Sequence, residues 1–433
     1  MNDACYADEK ITKERNKFFS LNYTKPQKDE NKIISTLLLY ITIPLSGFAV
    51  DVYLPSFPNM VNELHTSVTS LQATLAVYLL SYGISQFLVG AIVDSFGRYK
   101  IGITAFLLFA ISCFIIAVTS SIHLIIFLRA IQGLLIATLM ICQRSFLVDL
   151  YKDEPQKLKK YTSLISIIWS TAPIIAPFVG GYIQYYFNWQ SNFYFLGIYA
   201  LVMMIMHLIF SGEALKHLKP FQWKSISVMY KEMFVTKDFV YGVLLLGTSF
   251  SMVILFGMSI PFIAENKYHF TSKTTGNLAL LSGVSLFLGG LFNRYMINRS
   301  ITKKLTVSII VQFVVAVVML IAGIKTESLI TIMLFVVMLH FLEGFIYNMY
   351  FTYCLTRFTS FAGLSSGFTS GGAYIITSFI TFMLSHQLII KGQLSMAVYY
   401  VIIIALMLVI LMLALPHLRI VHKPKVRQLI PLK

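Results

Sequence analysis

Four ionisable residues, Asp51, Arg129, His340 and Glu343, stand inside long apolar runs of this sequence. An ionised side chain at the centre of a membrane helix costs ~2.5–3.5 kcal/mol on insertion scales, so such residues persist where they bind protons, ions or charged ligands. With the runs taken as membrane helices, Asp51 lies ~9 Å from the outer end of the first and Arg129 ~10 Å into the fourth, at 1.5 Å per residue. The depths match. An acid at that level responds to its surroundings, since loss of water favours the neutral acid and a nearby guanidinium favours the carboxylate. A pair of this kind can make proton binding and ligand binding exclusive. A fixed ion pair, or an Asp satisfying backbone groups freed by neighbouring prolines, fits the same residues.

His340 and Glu343 are spaced i, i+3 on one helix face in HFLEGFIYNMYFTY, just past the midplane of the tenth run. Glu343 is a second candidate for proton coupling; a packing histidine and a snorkelling Glu are the plain alternatives. Tyr53, Tyr78, Tyr82, Gln86, Gln132, Phe256, Tyr347 and Asn348 are candidate cavity residues, the aromatics giving apolar contact and the amides orienting polar groups. Cys5, Cys113, Cys142 and Cys354 include no C-x-x-C pair, and no metal-ligand spacing of histidines, nucleophile–base set or P-loop occurs. Neither enzyme, metal site nor cofactor is expected.

The elements that must hold these residues are membrane helices. The 433 residues are 57% hydrophobic and 12% charged, against roughly 25% charged for a soluble domain. At about 20 residues per span the chain holds about twelve. The spans are expected near 33–57, 70–93, 101–119, 122–149, 161–187, 191–212, 239–263, 275–297, 305–324, 328–352, 364–390 and 396–416. Residues 1–32 read as a disordered cytoplasmic tail, 33–212 as an N-terminal six-helix bundle, 213–238 as a cytoplasmic linker, 239–416 as a C-terminal six-helix bundle and 417–433 as a basic cytoplasmic tail. A net charge of +16 could suggest nucleic acid. The placement of the bases argues otherwise: Lys267, Lys273, Lys325 and Lys391 fall on the outer side and Arg129 within a span, while the rest lie in the tails and even-to-odd loops. The basicity is therefore positive-inside bias, which places both termini in the cytoplasm.

Several motifs carry a family likeness. GAIVDSFGRYK, with Gly90, Asp94, Gly97 and Arg98, resembles the signature loop of the major facilitator superfamily, and DVYLPSFP around Asp51 and Pro55 resembles the first-helix motif of the Bcr/CflA branch of its drug:proton antiporters. LRAIQGLL and QRSFLVDLY are similar to that branch's fourth helix, and STAPIIAPFVGGYI to its antiporter motif in the fifth, with alanine where glycine commonly precedes the first proline. Pro173, Pro177, Gly180 and Gly181 there suit close packing and a bendable gate. The chain departs from the branch at Gln190, commonly Arg, at Glu343, commonly neutral, and at Tyr347, which takes a proline's place. An internal repeat aligns Pro55 with Pro261, Asp51 with Gly257 and Asp94 with Asn293, so the second half keeps the frame without the acid.

The resemblance implies an all-α integral membrane protein of twelve transmembrane helices in two six-helix bundles, with helices 1 and 4 lining a central cavity. It implies a multi-pass bacterial inner-membrane exporter of small amphipathic compounds, working as a monomer by alternating access and driven by protons. Arg144 and Asp149 would join Asp94 and Arg98 in a charge cluster that latches the outward-open state. A membrane potential of ~100 mV supplies ~2.3 kcal/mol per charge moved. Export of a specific metabolite or siderophore, proton-coupled import, and a non-transporting receptor remain open.

Overall fold

The computed structural model describes residues 25–215, 223–296, 299–358, 362–387 and 390–418. The expected tails beyond these bounds, 1–24 and 419–433, lie outside the described residues, as does part of the linker, 216–222. The first span is broken into α1 (Lys32–Thr42), α2 (Pro44–Asp51), a 3₁₀ turn (Leu54–Ser56) and α3 (Phe57–Glu63). Proline lacks a backbone donor and suits the first turn of a helix, which is why each new segment has a proline at its start. The break was expected at Pro55 and Pro58; the earlier one, at Pro44, was not. The first half continues with α4 (Val68–Phe96), α5 (Arg98–Val118), α6 (Ile122–Tyr151), α7 (Pro155–Tyr186) and α8 (Trp189–Phe210). After α9 (Trp223–Val235), the second half holds α10 (Lys237–Phe262), α11 (Ser272–Phe292), α12 (Ile301–Lys325), α13 (Leu329–Arg357), α14 (Ala362–Gln387) and α15 (Gln393–Leu418).

Eleven of these segments, α1 to α3 counting as one, are long and apolar enough to cross a membrane. α7 is the twelfth by length, at 32 residues, and begins with the basic turns of Lys157, Lys159 and Lys160. Large apolar side chains exposed along the helices, such as Leu108, Val311, Leu334 and Ile402, form the lipid-facing girdle. Each half has its own apolar core. One is built around Tyr53, Phe57, Phe109 and Phe193, the other around Phe239, Leu255, Tyr350 and Tyr400.

The halves meet along two seams, α4 with α14 and α7 with α11. The first is tied by Ser378 Oγ donating to the Ala76 carbonyl at 2.7 Å and by Gly371 packed against the Gly83 carbonyl. The elbow, the linker and the described start of the chain gather at one end, here the basic end. Part of the expected linker loop is helical: α9 sets Tyr230 on the Phe87 carbonyl at 2.8 Å and Phe234 against Phe368 at 4.6 Å, so it sits across the α4–α14 seam. Residues 25–31, assigned by composition to the tail, pair with the end of α8. Glu213 N–H donates to the Lys25 carbonyl at 2.7 Å, and Lys25 Nζ donates to the carbonyls of Leu208 and Ile209.

Candidate functional site

Between the halves lies a cavity of about 450 Å³. Its ceiling is the broken first span and its counterpart in α10: Asp51, Leu54 and Pro55 face Gly257, Ile260 and Pro261. Both prolines of the internal repeat and both residues four positions before them line the same cavity. The walls are aromatic, with Tyr82 edge-on to Tyr374 at 4.8 Å and Phe250 at 5.5 Å from Tyr347. Toward the basic end the lining continues through Gly290, Leu291 and Asn348 to the exposed Arg294.

At the other end the second seam is closed. Gly181 faces the Ser272 carbonyl and Gly276, Ser272 Oγ donates to the Gly181 carbonyl at 3.2 Å, and Gly283 meets Ile174. Neighbouring Gly180 faces the first span, where a methyl would stand 1.6 Å from the Val52 carbonyl oxygen. The two glycines thus let α7 approach the helix break on one side and α11 on the other. The cavity opens to the basic end and is shut opposite.

Of the expected site residues, Asp51, Pro55, Tyr82, Pro173, Pro177, Phe256, Tyr347 and Asn348 line the cavity. Arg129, Tyr53, Tyr78 and Gln132 do not; they form a cluster buried in the first half just behind Asp51. The Arg129 guanidinium lies 4.1 Å from the Tyr78 ring centre and 4.6 Å from that of Tyr53, and one Nη donates to Gln132 Oε1 at 2.8 Å. Gln132 Nε2 donates to Ser112 Oγ at 3.1 Å, and Tyr53 pairs with Thr74 at 3.1 Å. Tyr53 and Gln132 therefore position Arg129 and have no lining role in this conformation. Arg129 Nε and its second Nη have no hydrogen-bond partner among the described residues. Asp51 makes no ion pair within 4.0 Å among them, yet it lies within electrostatic reach of Arg129. The fixed ion pair left open by the sequence is absent here.

Gln86 belongs to the α4–α14 seam, beside Gly367 and Gly371, and the cavity lining passes it by. Glu343 is fully buried between α10, α12 and α13, off the cavity, while its neighbour Gly344 lines it. The latch residues divide. Arg98 pairs with Asp149 and donates to the Ser145 carbonyl, joining α5 to α6 inside one half. Arg144 makes no described hydrogen bond or ion pair with either. Five residues separate it from Asp149, ~140° around a helix of 3.6 residues per turn, and it reaches electrostatically toward Tyr82 and Tyr347 instead. Gly97 turns the chain at φ 91°, as expected, whereas among the described residues no atom lies within 4 Å of where a Cβ on Gly90 would stand, so none of their backbone approaches there. The side chain of Asp94 lies outside the described residues.

Sequence reasoning missed Ser282, Phe250, Tyr374 and Arg294 in the lining, and Glu213 at the elbow. Glu213 accepts from the backbone N–H of Tyr99 at 3.0 Å and of Leu215 at 3.0 Å, capping the start of α5. A serine or aromatic in an apolar run gives no signal of which way it faces. Glu213 was visible as an acid just past a helix end, but its target is distant in sequence.

The family model described as Major Facilitator Superfamily matches residues 39–381. A Bicyclomycin resistance protein homolog of Haemophilus influenzae is 30% identical over 40% of this chain and 44% of its own length. Multidrug resistance protein D of Escherichia coli is 27% identical over 39% of this chain and 42% of its own. The matched stretches thus span under half of both relatives. In three dimensions the chain is similar to the nucleoside transporter NupG, with TM-score 0.68 and 14% identity over 89% of this chain and 98% of that one, a likeness of fold alone. Two bundles, a cavity opening at one end of their interface and a family match over most of the length agree: the chain belongs to the Major Facilitator Superfamily.

Proposed function

We propose that this protein exports small amphipathic compounds across the bacterial inner membrane in exchange for protons, by alternating access, and that the structure is its inward-open conformation. The observation that carries the reading is Asp51. It stands at the closed end of an aromatic cavity, without an ion-pair partner and with a buried arginine behind it. A ligand entering from the basic end dehydrates Asp51 or contacts it, and movement of the helix break relative to Arg129 changes which protonation state is favoured. Proton and ligand then compete for one place. Pro55 and Pro261 supply the bendable ceiling.

The aromatic walls suit flat apolar compounds, and relatives named for bicyclomycin and multidrug resistance support drugs as the substrate class. Both termini lie in the cytoplasm on this reading, since the open end carries the basic clusters, and the working unit is a monomer with its cavity inside one chain. Inverted membrane vesicles with an acid interior test the proposal: they should accumulate members of a panel of amphipathic compounds that includes bicyclomycin, and release them when an ionophore collapses the gradient. Accumulation that ignores the gradient would contradict proton coupling.

A further inference from the structure

Behind the second half's wall of the cavity runs a buried polar chain that no part of the mechanism above uses. Ser282, on the cavity surface, pairs with His340 Nδ1 at 2.6 Å. His340 Nε2 pairs with the Tyr400 hydroxyl at 3.3 Å, and the imidazole stands edge-on to Phe256 at 5.3 Å. One turn along the same face of α13, Glu343 is fully buried, and neither of its oxygens makes a hydrogen bond of 3.5 Å or less among the described residues. Ser249 of α10 and Gln312 of α12 stand beside it, Gln312 Oε1 is also unpartnered, and Tyr347 and Tyr400 lie within electrostatic reach. Among the described residues no cation faces it from α10, α11, α12 or α15. An ionised carboxylate with no cation and only the Ser249 hydroxyl and the Gln312 amide beside it is unfavourable in a dry interior, whereas the protonated, neutral acid escapes most of that cost.

We infer that Glu343 is a proton-binding site of the second half, loaded from the cavity through Ser282 and His340. In loading, Ser282 gives its proton to Nδ1 as it takes one from the cavity, His340 gives its Nε2 proton to the Tyr400 hydroxyl, and that hydroxyl gives its own to Glu343; unloading by the reverse steps restores the starting tautomer. One proton enters and one arrives. The last step has no hydrogen bond in this conformation, so loading waits on a side-chain or helix movement, as a transport cycle requires. Two protonatable centres then work per cycle, Asp51 in the first half and Glu343 in the second.

The inference rests on the proton-coupled reading, but its test uses no drug. Infrared difference spectra of the full-length protein in lipid, taken between about pH 5 and about pH 9, should show a carboxyl stretch that disappears in Glu343→Gln and changes frequency in Glu343→Asp. Asp51→Asn should keep that band. After a pH jump, His340→Phe and Ser282→Ala should slow its appearance roughly a hundredfold, the lower end of what a positioned proton carrier contributes. A Glu343 band that is constant over the whole range would make this a permanently neutral packing acid and overturn the site. A band that loads equally fast without His340 would overturn the route. Absence of drug-driven proton movement, with the Glu343 band behaving as expected, would count against the exporter reading alone.

Discussion

Replacing Gly181 by alanine places a methyl group between the two halves. Its carbon would lie 2.5 Å from the Ser272 carbonyl oxygen and 3.0 Å from Gly276 Cα, and side-chain carbons essentially never come closer than 3.0 Å to a neighbour. Both opposing groups are backbone, so relief requires α7 and α11 to separate. Overpacking of this kind costs ~1–3 kcal/mol. The contact exists only while the seam is closed at the end opposite the cavity mouth, so the cost falls on this conformation. At ~2 kcal/mol, the ratio of this conformation to its alternative should fall roughly thirtyfold. Spin labels at Tyr186→Cys and Phe270→Cys, positions 63% and 48% exposed on either side of the seam, would report it. The expected result is a longer principal distance in pulsed resonance measurements on Gly181→Ala. An unchanged distance distribution in folded protein would refute the reasoning.

Gly90→Ala is the matched control. Among the described residues nothing lies within 4 Å of its added carbon, so it should be neutral or stabilise α4 by up to ~1 kcal/mol in thermal unfolding. Arg129→Lys keeps the charge but loses the flat face stacked on Tyr53 and Tyr78; a loss of ~1–3 kcal/mol in stability is expected, together with weaker proton coupling in vesicles. Glu213→Ala uncaps α5 and should cost ~1 kcal/mol, with faster tryptic cleavage at Lys100 as the local readout.

The parts legible in the sequence were those set by a strong local rule. Spans follow from the need to satisfy the backbone inside lipid, and the break at Pro55 follows from proline's missing donor. Asp51 stood out because an acid in an apolar run is costly wherever it faces. Facing itself was not legible. Tyr53 and Tyr82 are both aromatics inside membrane spans, yet one supports Arg129 and the other lines the cavity, a difference set by helix rotation within the bundle. Arg144 and Asp149 were expected to join one charge cluster with Asp94 and Arg98; Asp149 meets Arg98, but five residues along a helix put Arg144 on a different face from Asp149. The helix in the linker could have been found: Tyr230, Met233 and Phe234 follow the i, i+3, i+4 spacing of an amphipathic helix, under a composition that looked like loop.

The most direct test of the central claim is proton release on adding bicyclomycin to proteoliposomes, wild type beside Asp51→Asn. With Asp51 as the acid that exchanges proton for drug, the wild type should release protons on binding, and the variant should bind the compound without doing so. Transport by Asp51→Asn with unchanged proton movement would contradict the account.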